Sequence, residues 1–330
     1  MFLSDSPPNP LAGIARLAAE SELLEAKRRV RYFELPTRRF ITRCSSPRLP
    51  FQWTINPYRG CEFGCKYCYA RYTHEFMELR RGSDFEEVIF AKEWSAAAFR
   101  SELAKIPRQD AIAIGTATDP YQPSERRYGV TRKILEVFAG ERGRRVSLIS
   151  KSDGIARDAD IFAEIAKRNR LLVHVTITTM DPALARLLEP YAPRPDLRMG
   201  AVETLARAGL RTGVMCAPVL PLINDSEASL DAVARAAKNA GAASFGGHVV
   251  FLKPCAQKVF LPFLEREFSH LVRRYRERFQ RSAFLRGEYP ERIRERVERV
   301  RQRHGLSCRF EEYEPEAWAG GEQLEFNFTI

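Results

Sequence analysis

The sequence has no apolar run long enough to cross a membrane. The longest run, from Val214 to Ile223, is about half the length of a bilayer-spanning helix and contains two prolines. The first ten residues include an acidic residue and three prolines, and they lack the apolar core of a signal peptide. We therefore expect neither membrane insertion nor secretion, and we predict a cytoplasmic protein.

Several common site patterns are also absent. The chain has neither the Gly-rich fingerprint of a Rossmann nucleotide site nor the Walker A pattern. Its five histidines form no pair at metal-ligand spacing. The seven cysteines are an odd number, and four of them (Cys44, Cys216, Cys255 and Cys308) are scattered. Without an export signal, this distribution argues against a disulfide framework.

Lysine is scarce, whereas arginine is abundant. Of the 53 basic residues 43 are arginine, and the formal net charge is +11. The planar guanidinium group suits phosphate oxygens, so this balance favours a polyanionic partner such as nucleic acid. A coding bias towards arginine explains the composition equally well. Charge alone therefore suggests nucleic acid without establishing it.

The middle of the chain alternates between short β-prone runs and helical stretches. The predicted strands are residues 53–56, 111–116, 145–150, 171–178, 211–218 and 244–252. The helical stretches lie at 92–105, 129–140, 156–168, 182–190 with 195–208, and 226–240. Six strands separated by crossovers predict a parallel α/β fold. A partial (βα)6 parallel barrel and an open sheet fit this pattern equally well.

We predict three parts along the chain. Residues 1–50 form a lead-in, with a helix within 10–35 followed by an extended segment. Residues 51–255 form the α/β core, and residues 256–330 form a basic helical extension at the C-terminus.

The C-terminal extension carries two arginine-dense helical stretches, at 258–282 and 290–304. Between Arg266 and Arg309 there are 14 arginines and 6 glutamates. This excess fits a solvated helical cap, or alternatively a surface that contacts phosphates beside the barrel mouth.

The strongest chemical signal is a loop of three cysteines. Cys61, Cys65 and Cys68 follow the first predicted strand with the spacing C-x3-C-x2-C. Three thiolates on one loop can hold three irons of a cubane and leave the fourth iron open to a substrate or cofactor. A structural zinc site requires four ligands, so zinc binding would have to recruit Cys44 or a distant cysteine. Gly60 and Gly64 allow the backbone to curl around a bulky cluster.

This loop resembles the cluster-binding motif of the radical S-adenosylmethionine (SAM) enzymes, including the aromatic Tyr67 before the last cysteine. The resemblance implies a partial (βα)6 parallel barrel of radical SAM type and a [4Fe-4S] cluster bound by the three cysteines. It implies that SAM chelates the open iron and is cleaved reductively to a 5′-deoxyadenosyl radical, which abstracts a hydrogen atom from the substrate. It also implies a low-potential electron donor such as flavodoxin or ferredoxin.

A narrower resemblance covers residues 47–255. The segments SPRLPFQWTINPYRGCEFGCKYCYARYTHEF, GTATDPYQPSERRYGVTR, LISKSD and PVLPLIND are similar to the radical SAM group related to spore photoproduct lyase. That enzyme reverses a UV-induced thymine lesion in DNA. For the SAM site the resemblance implies Tyr67 near the adenine, Lys151 near the methionine moiety or ribose, Thr176 near the ribose, and Thr118 and Asp119 at the barrel mouth.

One departure from that group concerns the return of a hydrogen atom to the product. Spore photoproduct lyase uses a cysteine just after its second strand, where this chain has Thr116. A hydroxyl O–H bond is far stronger than a thiol S–H bond, so threonine cannot replace that cysteine. Tyr69 could serve as a relay, and Cys216 could be the donor if it faces the barrel interior. Otherwise Cys216 is a small buried apolar residue.

Three functions follow from these patterns. The leading hypothesis is a radical SAM enzyme that acts on nucleic acid in DNA repair. The second keeps the radical chemistry and moves the substrate to a protein, peptide or small molecule. The third is a non-catalytic iron–sulfur protein that binds nucleic acid.

The C-terminal tail suggests one further partner. Residues 322–328 faintly resemble the short peptides with which bacterial DNA-handling proteins dock on the sliding clamp. The alternative is a terminal strand or a frayed tail.

Overall fold

The computed structural model describes residues 11–26, 29–37, 39–46, 49–308 and 315. The strands in these ranges are β1 (Glu22–Ala26), β2 (Arg31–Leu35), β3 (Ile41–Arg43), β4 (Trp53–Ile55), β5 (Tyr58–Arg59), β6 (Val88–Lys92), β7 (Ala111–Ile114), β8 (Arg145–Ser150), β9 (Arg170–Thr176), β10 (Thr212–Val219) and β11 (Ser244–Val249).

The helices in the same ranges are α1 (Gly13–Ala19), α2 (Tyr72–Glu75), α3 (Asp84–Glu87), α4 (Ala96–Ala104), α5 (Glu125–Tyr128), α6 (Val130–Ala139), α7 (Ala159–Arg168), α8 (Pro182–Leu188), α9 (Pro195–Arg207), α10 (Glu227–Asn239), α11 (Pro254–Glu267), α12 (Val272–Phe279) and α13 (Glu288–Arg303). Short 3-10 turns lie at Tyr69–Arg71, Asp153–Asp158 and Ser269–Leu271.

Seven strands form the main sheet in the order β11-β10-β9-β8-β7-β4-β3. Strands β4 and β7 to β11 are parallel and follow chain order, and β3 adds to the edge antiparallel to β4. No pairing among the described strands joins β11 back to β3 or β4. The six predicted strands and the partial parallel architecture are confirmed.

Alternate residues along the parallel strands face the helices that cover one side of this sheet. Ile112, Val146, Val173 and Val214 project from neighbouring strands and are almost fully buried. They belong to one core cluster with apolar residues of α6, α7, α9 and α10. In α6, for example, Ile134, Leu135 and Phe138 are completely buried. These crossover helices position the loops that follow each parallel strand.

A second sheet, not predicted from the sequence, lies beside the main one, with strand order β1-β2-β6-β5. The helix predicted across residues 10–35 is therefore wrong beyond Ala19, where α1 ends. The reason is tertiary, because β2 pairs in parallel with the fully buried β6 and β1 pairs with β2. The predicted stretch 92–105 likewise becomes helical only at Ala96.

The C-terminal helices pack onto the core at two places. Phe260, Phe263 and Tyr275 join a buried cluster that includes Phe63 and Tyr67 of the cysteine loop. The predicted helix 258–282 is divided into α11, a 3-10 turn and α12, because Phe268 adopts an extended φ of −143°.

Farther along, α13 packs against α10 and β11, and Ser307 hydrogen-bonds to the edge of β11. Among the described residues, no helix is both long enough and apolar enough to cross a bilayer. The clamp-like segment 322–328 lies outside the described residues.

Candidate active site

The three cysteines lie on one loop that leaves β5 and ends at the 3-10 turn of Tyr69. Gly60 begins this loop with a φ of +84°, and a Cβ there would meet Phe85 O at 2.9 Å and Val88 O at 2.8 Å. Glycine is therefore required both by conformation and by close backbone approach. The Cys61 amide donates a hydrogen bond of 2.9 Å to Phe85 O. These contacts hold the first cysteine against the second sheet.

The middle of the loop lies along the segment that joins α8 to α9. Gly64 has a φ of +64°, and a Cβ there would approach the Tyr191 ring to 2.9 Å. The Tyr191 amide donates to Phe63 O at 3.2 Å, and the Lys66 amide donates to Leu188 O at 2.9 Å. The loop is thus fastened on this side as well.

Residues of the loop after β7 form hydrogen bonds with the residues before and after Cys61. Thr118 Oγ1 donates to Gly60 O at 2.6 Å, and Gln122 Nε2 donates to the same carbonyl at 3.1 Å. Gln122 Oε1 accepts from the Glu62 amide at 3.0 Å. Thr118 and Gln122 are themselves hydrogen-bonded at 2.9 Å. This arrangement positions the first cysteine without using a thiol, imidazole or carboxylate.

A buried arginine supports the second half of the loop. Arg71 is 4% exposed, and its Nη2 donates to Cys65 O at 3.1 Å. Its Nη1 forms an ion pair with Glu86 at 2.6 Å. The guanidinium charge is thus paired while it fixes the backbone between the second and third cysteines.

Tyr67 is held by a buried ion pair. Its hydroxyl donates to Glu189, whose other carboxyl oxygen lies 2.6 Å from Arg198 Nη1. Burial and the neighbouring Glu189 raise the pKa of the Tyr67 hydroxyl well above its ordinary value, so the phenol remains a donor. Burial opposes ionisation of Glu189, but Arg198 and Lys151 hold the pKa of its carboxyl below the ordinary value.

Asp119 connects the ends of β7 and β8. One carboxyl oxygen accepts from Ser150 Oγ at 2.7 Å and from the Tyr121 amide at 2.9 Å, and the other accepts from the Lys151 amide at 2.6 Å. Burial raises the pKa of this carboxyl, although these hydrogen bonds oppose the effect. Both oxygens of Asp119 are therefore used within the chain.

Lys151 and Thr176 lie at the carboxyl ends of β8 and β9. Lys151 Nζ lies 5.8 Å from the centre of the Tyr67 ring. Thr176 is 2% exposed, and its carbonyl accepts from Arg198 Nη1 at 3.1 Å. The structure thus brings Tyr67, Lys151 and Thr176 around the Glu189–Arg198 pair. Carboxyl ends of parallel strands are where α/β folds bind ligands.

Tyr69 lies beside Thr116, two residues after the end of β7. Its hydroxyl donates to the Thr116 carbonyl, and burial raises the pKa of this phenol. The Cys255 thiol, at the start of α11, lies 3.7 Å from Tyr69 O in hydrogen-bonding geometry. No feature of the sequence indicated that Cys255 would reach this position, because 186 residues separate the two.

Cys216 and Val214 lie on the same face of β10, towards the helices. Thr176 of β9 and Met215 of β10 are paired and lie on the opposite face of the sheet. The Cys216 thiol is fully buried and donates to Thr178 O at 3.4 Å. Burial raises its pKa to about 12, so the thiol keeps its proton at neutral pH. Cys216 therefore lies on the helix side of the sheet, opposite the side of Thr176.

The donor set fits a cubane cluster. Among the described residues, no three His, Cys, Asp or Glu side chains converge on one metal ion. A [4Fe-4S] cluster requires a different arrangement, because each thiolate binds a separate iron. Burial raises the pKa values of the Cys61, Cys65 and Cys68 thiols, so cluster binding would release their protons.

Three structural partners of the site were not predicted from the sequence. Gln122 lies in a segment that the family resemblance covers, but nothing marked its contact with Gly60. Glu189 and Arg198 lie in a helical stretch whose pattern shows only amphipathic spacing. A charged pair with 0–1% exposure becomes evident only when the chain is folded.

Comparison with known proteins assigns the chain to the same family that the cysteine loop resembles. The Radical SAM superfamily model matches residues 55–251. An uncharacterised protein of Mycobacterium tuberculosis is 37% identical over 250 residues, which are 76% of this chain and 73% of that protein. An uncharacterised protein of Methanocaldococcus jannaschii is 27% identical over 176 residues, which are 53% of this chain and 63% of that protein.

Two solved structures share the fold. Spore photoproduct lyase complexed with dinucleoside spore photoproduct has a TM-score of 0.60 at 12% identity and covers 92% of this chain and 85% of its own. A mutant of that enzyme with bound AdoMet and dinucleoside spore photoproduct has a TM-score of 0.58 at 13% identity, with 81% and 77% covered. With the family model matching more than half of its length, this chain belongs to the radical SAM superfamily, whose members use a [4Fe-4S] cluster and SAM.

Proposed function

We propose that this protein cleaves SAM reductively and abstracts a hydrogen atom from a nucleic acid, in a lyase-like reaction of DNA repair. The observation that carries the proposal is the position of the cysteine loop. Thr118 and Gln122, which follow β7, hold the loop on both sides of Cys61. The same loop faces the carboxyl ends of β8 and β9, where Lys151 and Thr176 lie.

Each residue of the site then has a defined task. Cys61, Cys65 and Cys68 hold the cluster. When bound, the cluster and SAM supply the electron transfer and the 5′-deoxyadenosyl radical that begin the reaction. The chain binds and orients SAM and excludes water from the radical. Five residues have these tasks: Tyr67, Thr118, Asp119, Lys151 and Thr176.

The contacts divide these five residues into two groups. The side chain of Thr118 is hydrogen-bonded to Gly60 O, and that of Asp119 is hydrogen-bonded to Ser150 and the Lys151 amide. We assign them the positioning of the loop and of Lys151. Tyr67, Lys151 and Thr176 present a ring, an ammonium group and a hydroxyl to the site. We assign them direct contact with SAM.

A row of aromatic rings supports a nucleic-acid substrate. The Tyr69 and Phe251 ring centres are 4.7 Å apart, and those of Phe251 and Phe284 are 5.2 Å apart with nearly parallel planes. Phe284 is 44% exposed, with the exposed Arg281 and Arg286 nearby in sequence. Stacked aromatics beside arginines are typical of surfaces that bind unpaired bases. We call Tyr69, Phe251 and Phe284 the aromatic row.

The arginines of α13 support this substrate less. Arg294 and Arg301 pair with glutamates of the same helix, and Arg299 and Arg303 pair with Glu227 of α10. These guanidinium groups already have carboxylate partners, so their contribution to phosphate binding is reduced. We therefore place the nucleic acid at the aromatic row and regard α13 chiefly as a helical cap.

The return of a hydrogen atom requires a group other than Thr116. Tyr69 is the phenol beside the third cysteine and begins the aromatic row, so we propose it as the relay. Cys216 keeps its thiol proton, as a hydrogen-atom donor must, but it faces the helices and not the barrel interior, so it would act only through an indirect route. A route from Cys216 to the site would pass Thr178, whose hydroxyl lies 3.3 Å from Glu189 in hydrogen-bonding geometry.

The test is 5′-deoxyadenosine formation by the anaerobically reconstituted protein with dithionite. The assay compares UV-irradiated DNA, intact DNA, RNA and no addition. We expect the largest stimulation by irradiated DNA and consumption of the lesion. Cys65→Ala should abolish both the cluster and the product, whereas Cys308→Ala, which changes an exposed cysteine, is the matched control.

The other outcomes are also informative. Product formation that ignores every nucleic acid would remove the DNA-repair proposal and leave the radical chemistry. No product from a protein with a complete cluster and bound SAM would contradict the enzymatic proposal as a whole.

A further inference from the structure

One of the segments that pack on the cysteine loop lies between α8 and α9 and reaches the protein surface at Tyr191. Residues 188–191 form backbone hydrogen bonds with Phe63 and Lys66, on either side of Cys65. Tyr191 packs over Gly64, where a Cβ would come within 2.9 Å of its ring. Among the described residues, Tyr191 thus links the loop between the first two cysteines to the protein surface.

Tyr191 is the centre of an exposed apolar patch. It is 55% exposed, and Leu187 and Leu197 of the flanking helices are 39% and 47% exposed. Tyr191 and Leu197 line an open pocket of about 340 Å³ whose floor includes the buried Phe63. Large apolar side chains grouped in this way mark a surface that binds another molecule.

Exposed arginines surround this patch. Arg126 and Arg186 line the same pocket, and Arg29 Nη1 donates to the Tyr191 hydroxyl at 3.3 Å. Within the described part of the chain, no carboxylate forms an ion pair with any of the three. The acidic residue that lines the pocket is Asp153. We call Arg29, Arg126, Arg186, Leu187, Tyr191 and Leu197 the Tyr191 face.

We propose that the Tyr191 face is the docking surface for an acidic, low-potential electron-transfer protein of the flavodoxin or ferredoxin kind. An apolar centre with arginines around it matches the composition of transient protein interfaces, in which Tyr and Arg are enriched. The positive rim attracts an acidic partner and speeds its encounter. The inference rests on the proposed function, because it assumes that the loop carries the cluster.

The position of the face favours a protein donor over nucleic acid. The aromatic row starts at Tyr69, after the third cysteine, whereas the Tyr191 face contacts Phe63 and Gly64, between the first two. A donor on the Tyr191 face therefore leaves the aromatic row free for the substrate. The face also lacks stacked rings of the kind that unpaired bases use, within the residues described.

The transfer itself moves one electron and no proton. A one-electron transfer would oxidise the reduced flavin or iron–sulfur centre of the partner and reduce the cluster that Cys61, Cys65 and Cys68 would hold. Tyr191 contacts Phe63 and Gly64 of the cysteine loop, so a partner docked on the Tyr191 face would approach the Cys61–Cys65 segment. Because tunnelling slows steeply with distance, this contact favours the Tyr191 face as the entry point.

The test reverses the charge of the face in the full-length protein with Arg126→Glu/Arg186→Glu. A recombinant acidic flavodoxin is titrated into the oxidised, cluster-loaded protein, and the dissociation constant is measured by calorimetry. We expect binding about tenfold weaker than in the unmodified protein, with a flatter dependence on salt. Cluster reduction by photoreduced flavodoxin, followed by electron paramagnetic resonance, should slow to a similar extent.

Two controls separate docking from folding and from chemistry. Arg235→Glu/Lys238→Glu makes the same charge change on exposed positions of α10 and should leave flavodoxin binding unchanged. Dithionite is a small reductant that needs no docking surface. It should therefore reduce the cluster and drive 5′-deoxyadenosine formation equally well in both variants and in the unmodified protein.

Three results would overturn the inference. The first is that flavodoxin fails to bind the unmodified protein, and the second is that both double variants weaken flavodoxin binding equally. The third is that Arg126→Glu/Arg186→Glu loses DNA binding and keeps flavodoxin binding. Failure of the proposed function has a different signature. In that case dithionite yields no 5′-deoxyadenosine from the unmodified protein, whatever the affinity for flavodoxin.

Discussion

The hydroxyl of Thr118 donates a 2.6 Å hydrogen bond to the carbonyl of Gly60, the residue before Cys61. The loop after the second parallel strand thereby sets the backbone on which Cys61 stands. Gln122 repeats the contact from the next turn of the same loop. The geometry of the cysteine loop therefore depends on residues 58 and 62 positions later in the chain.

Thr118→Val should loosen this attachment. It removes a hydroxyl from a buried site and leaves Gly60 O with the Gln122 bond alone, at a cost of about 1 kcal/mol. We expect slower cluster assembly and faster loss of iron in air, measured by iron content and visible absorbance. Thr118→Ser keeps the hydroxyl and is the control. Equal iron retention in the Val and Ser variants would contradict the positioning role.

Gly64→Ala should destabilise the cluster loop. Its φ of +64° disfavours a side chain, and the new Cβ would meet the Tyr191 ring at 2.9 Å. We expect a loss of about 1–2 kcal/mol in the free energy of unfolding, measured by urea denaturation. Gly200→Ala is the matched control, because Gly200 lies within α9 with nothing within 4 Å of a Cβ. That variant should gain about 0.5–1 kcal/mol.

Arg198→Met should be strongly destabilising. It leaves Glu189 as an unpaired carboxylate with 0% side-chain exposure, at an expected cost of about 3–5 kcal/mol. The double variant Glu189→Leu/Arg198→Met removes both charges and should recover much of this loss in urea denaturation. A single variant that unfolds like the unmodified protein would show that the pair is not what holds Tyr67.

The stability of the protein should fall between pH 7 and pH 5. Burial lowers the pKa of His74 from 6.5 to about 4, so in this range the unfolded chain binds a proton that the folded chain does not. Unfolding is therefore favoured by acid, and this group alone should contribute a loss of about 2 kcal/mol.

His74→Asn should remove the loss of about 2 kcal/mol that His74 causes and leave a similar loss from His174, whose pKa burial also lowers to about 4. The same change at the exposed His270 should leave the full pH dependence intact. Urea denaturation at pH 7 and pH 5 measures both. A pH dependence in His74→Asn as large as that of the unmodified protein would contradict the contribution assigned to His74.

Phe284→Ala should weaken binding of single-stranded DNA. Stacking of a base on an exposed ring contributes about 1–3 kcal/mol, which corresponds to roughly a 5- to 150-fold change in affinity. Fluorescence anisotropy with a labelled oligonucleotide measures it. Leu23→Ala removes an exposed apolar side chain on β1, which is 52% exposed, and should have no effect. Equal affinities for both variants would exclude the aromatic row as a base-binding surface.

The amphipathic segments of the core could be recognised from the sequence because their signals are local. Each crossover helix repeats apolar residues at helical spacing, and each parallel strand is a short β-prone run. The second sheet gave no such signal. Residues 10–35 fit a helix by periodicity. Glu22–Ala26 and Arg31–Leu35 nevertheless form strands, because β6, more than 50 residues away, offers a buried partner.

The features of the site are likewise of two kinds: those with a local signal in the sequence and those that depend on tertiary contacts. The C-x3-C-x2-C spacing is local, so the sequence by itself determined the superfamily and the six parallel strands, and it predicted the three cysteines as cluster ligands. Only the tertiary structure decided that Thr118 and Gln122 hold the cysteine loop and that Tyr191 packs on it. It also decided that Glu189 and Arg198 hold Tyr67, and that glutamates pair with the arginines of α13. Each of these is a contact between side chains whose partners are chosen by packing and burial, and a linear pattern of residue types carries no record of that choice.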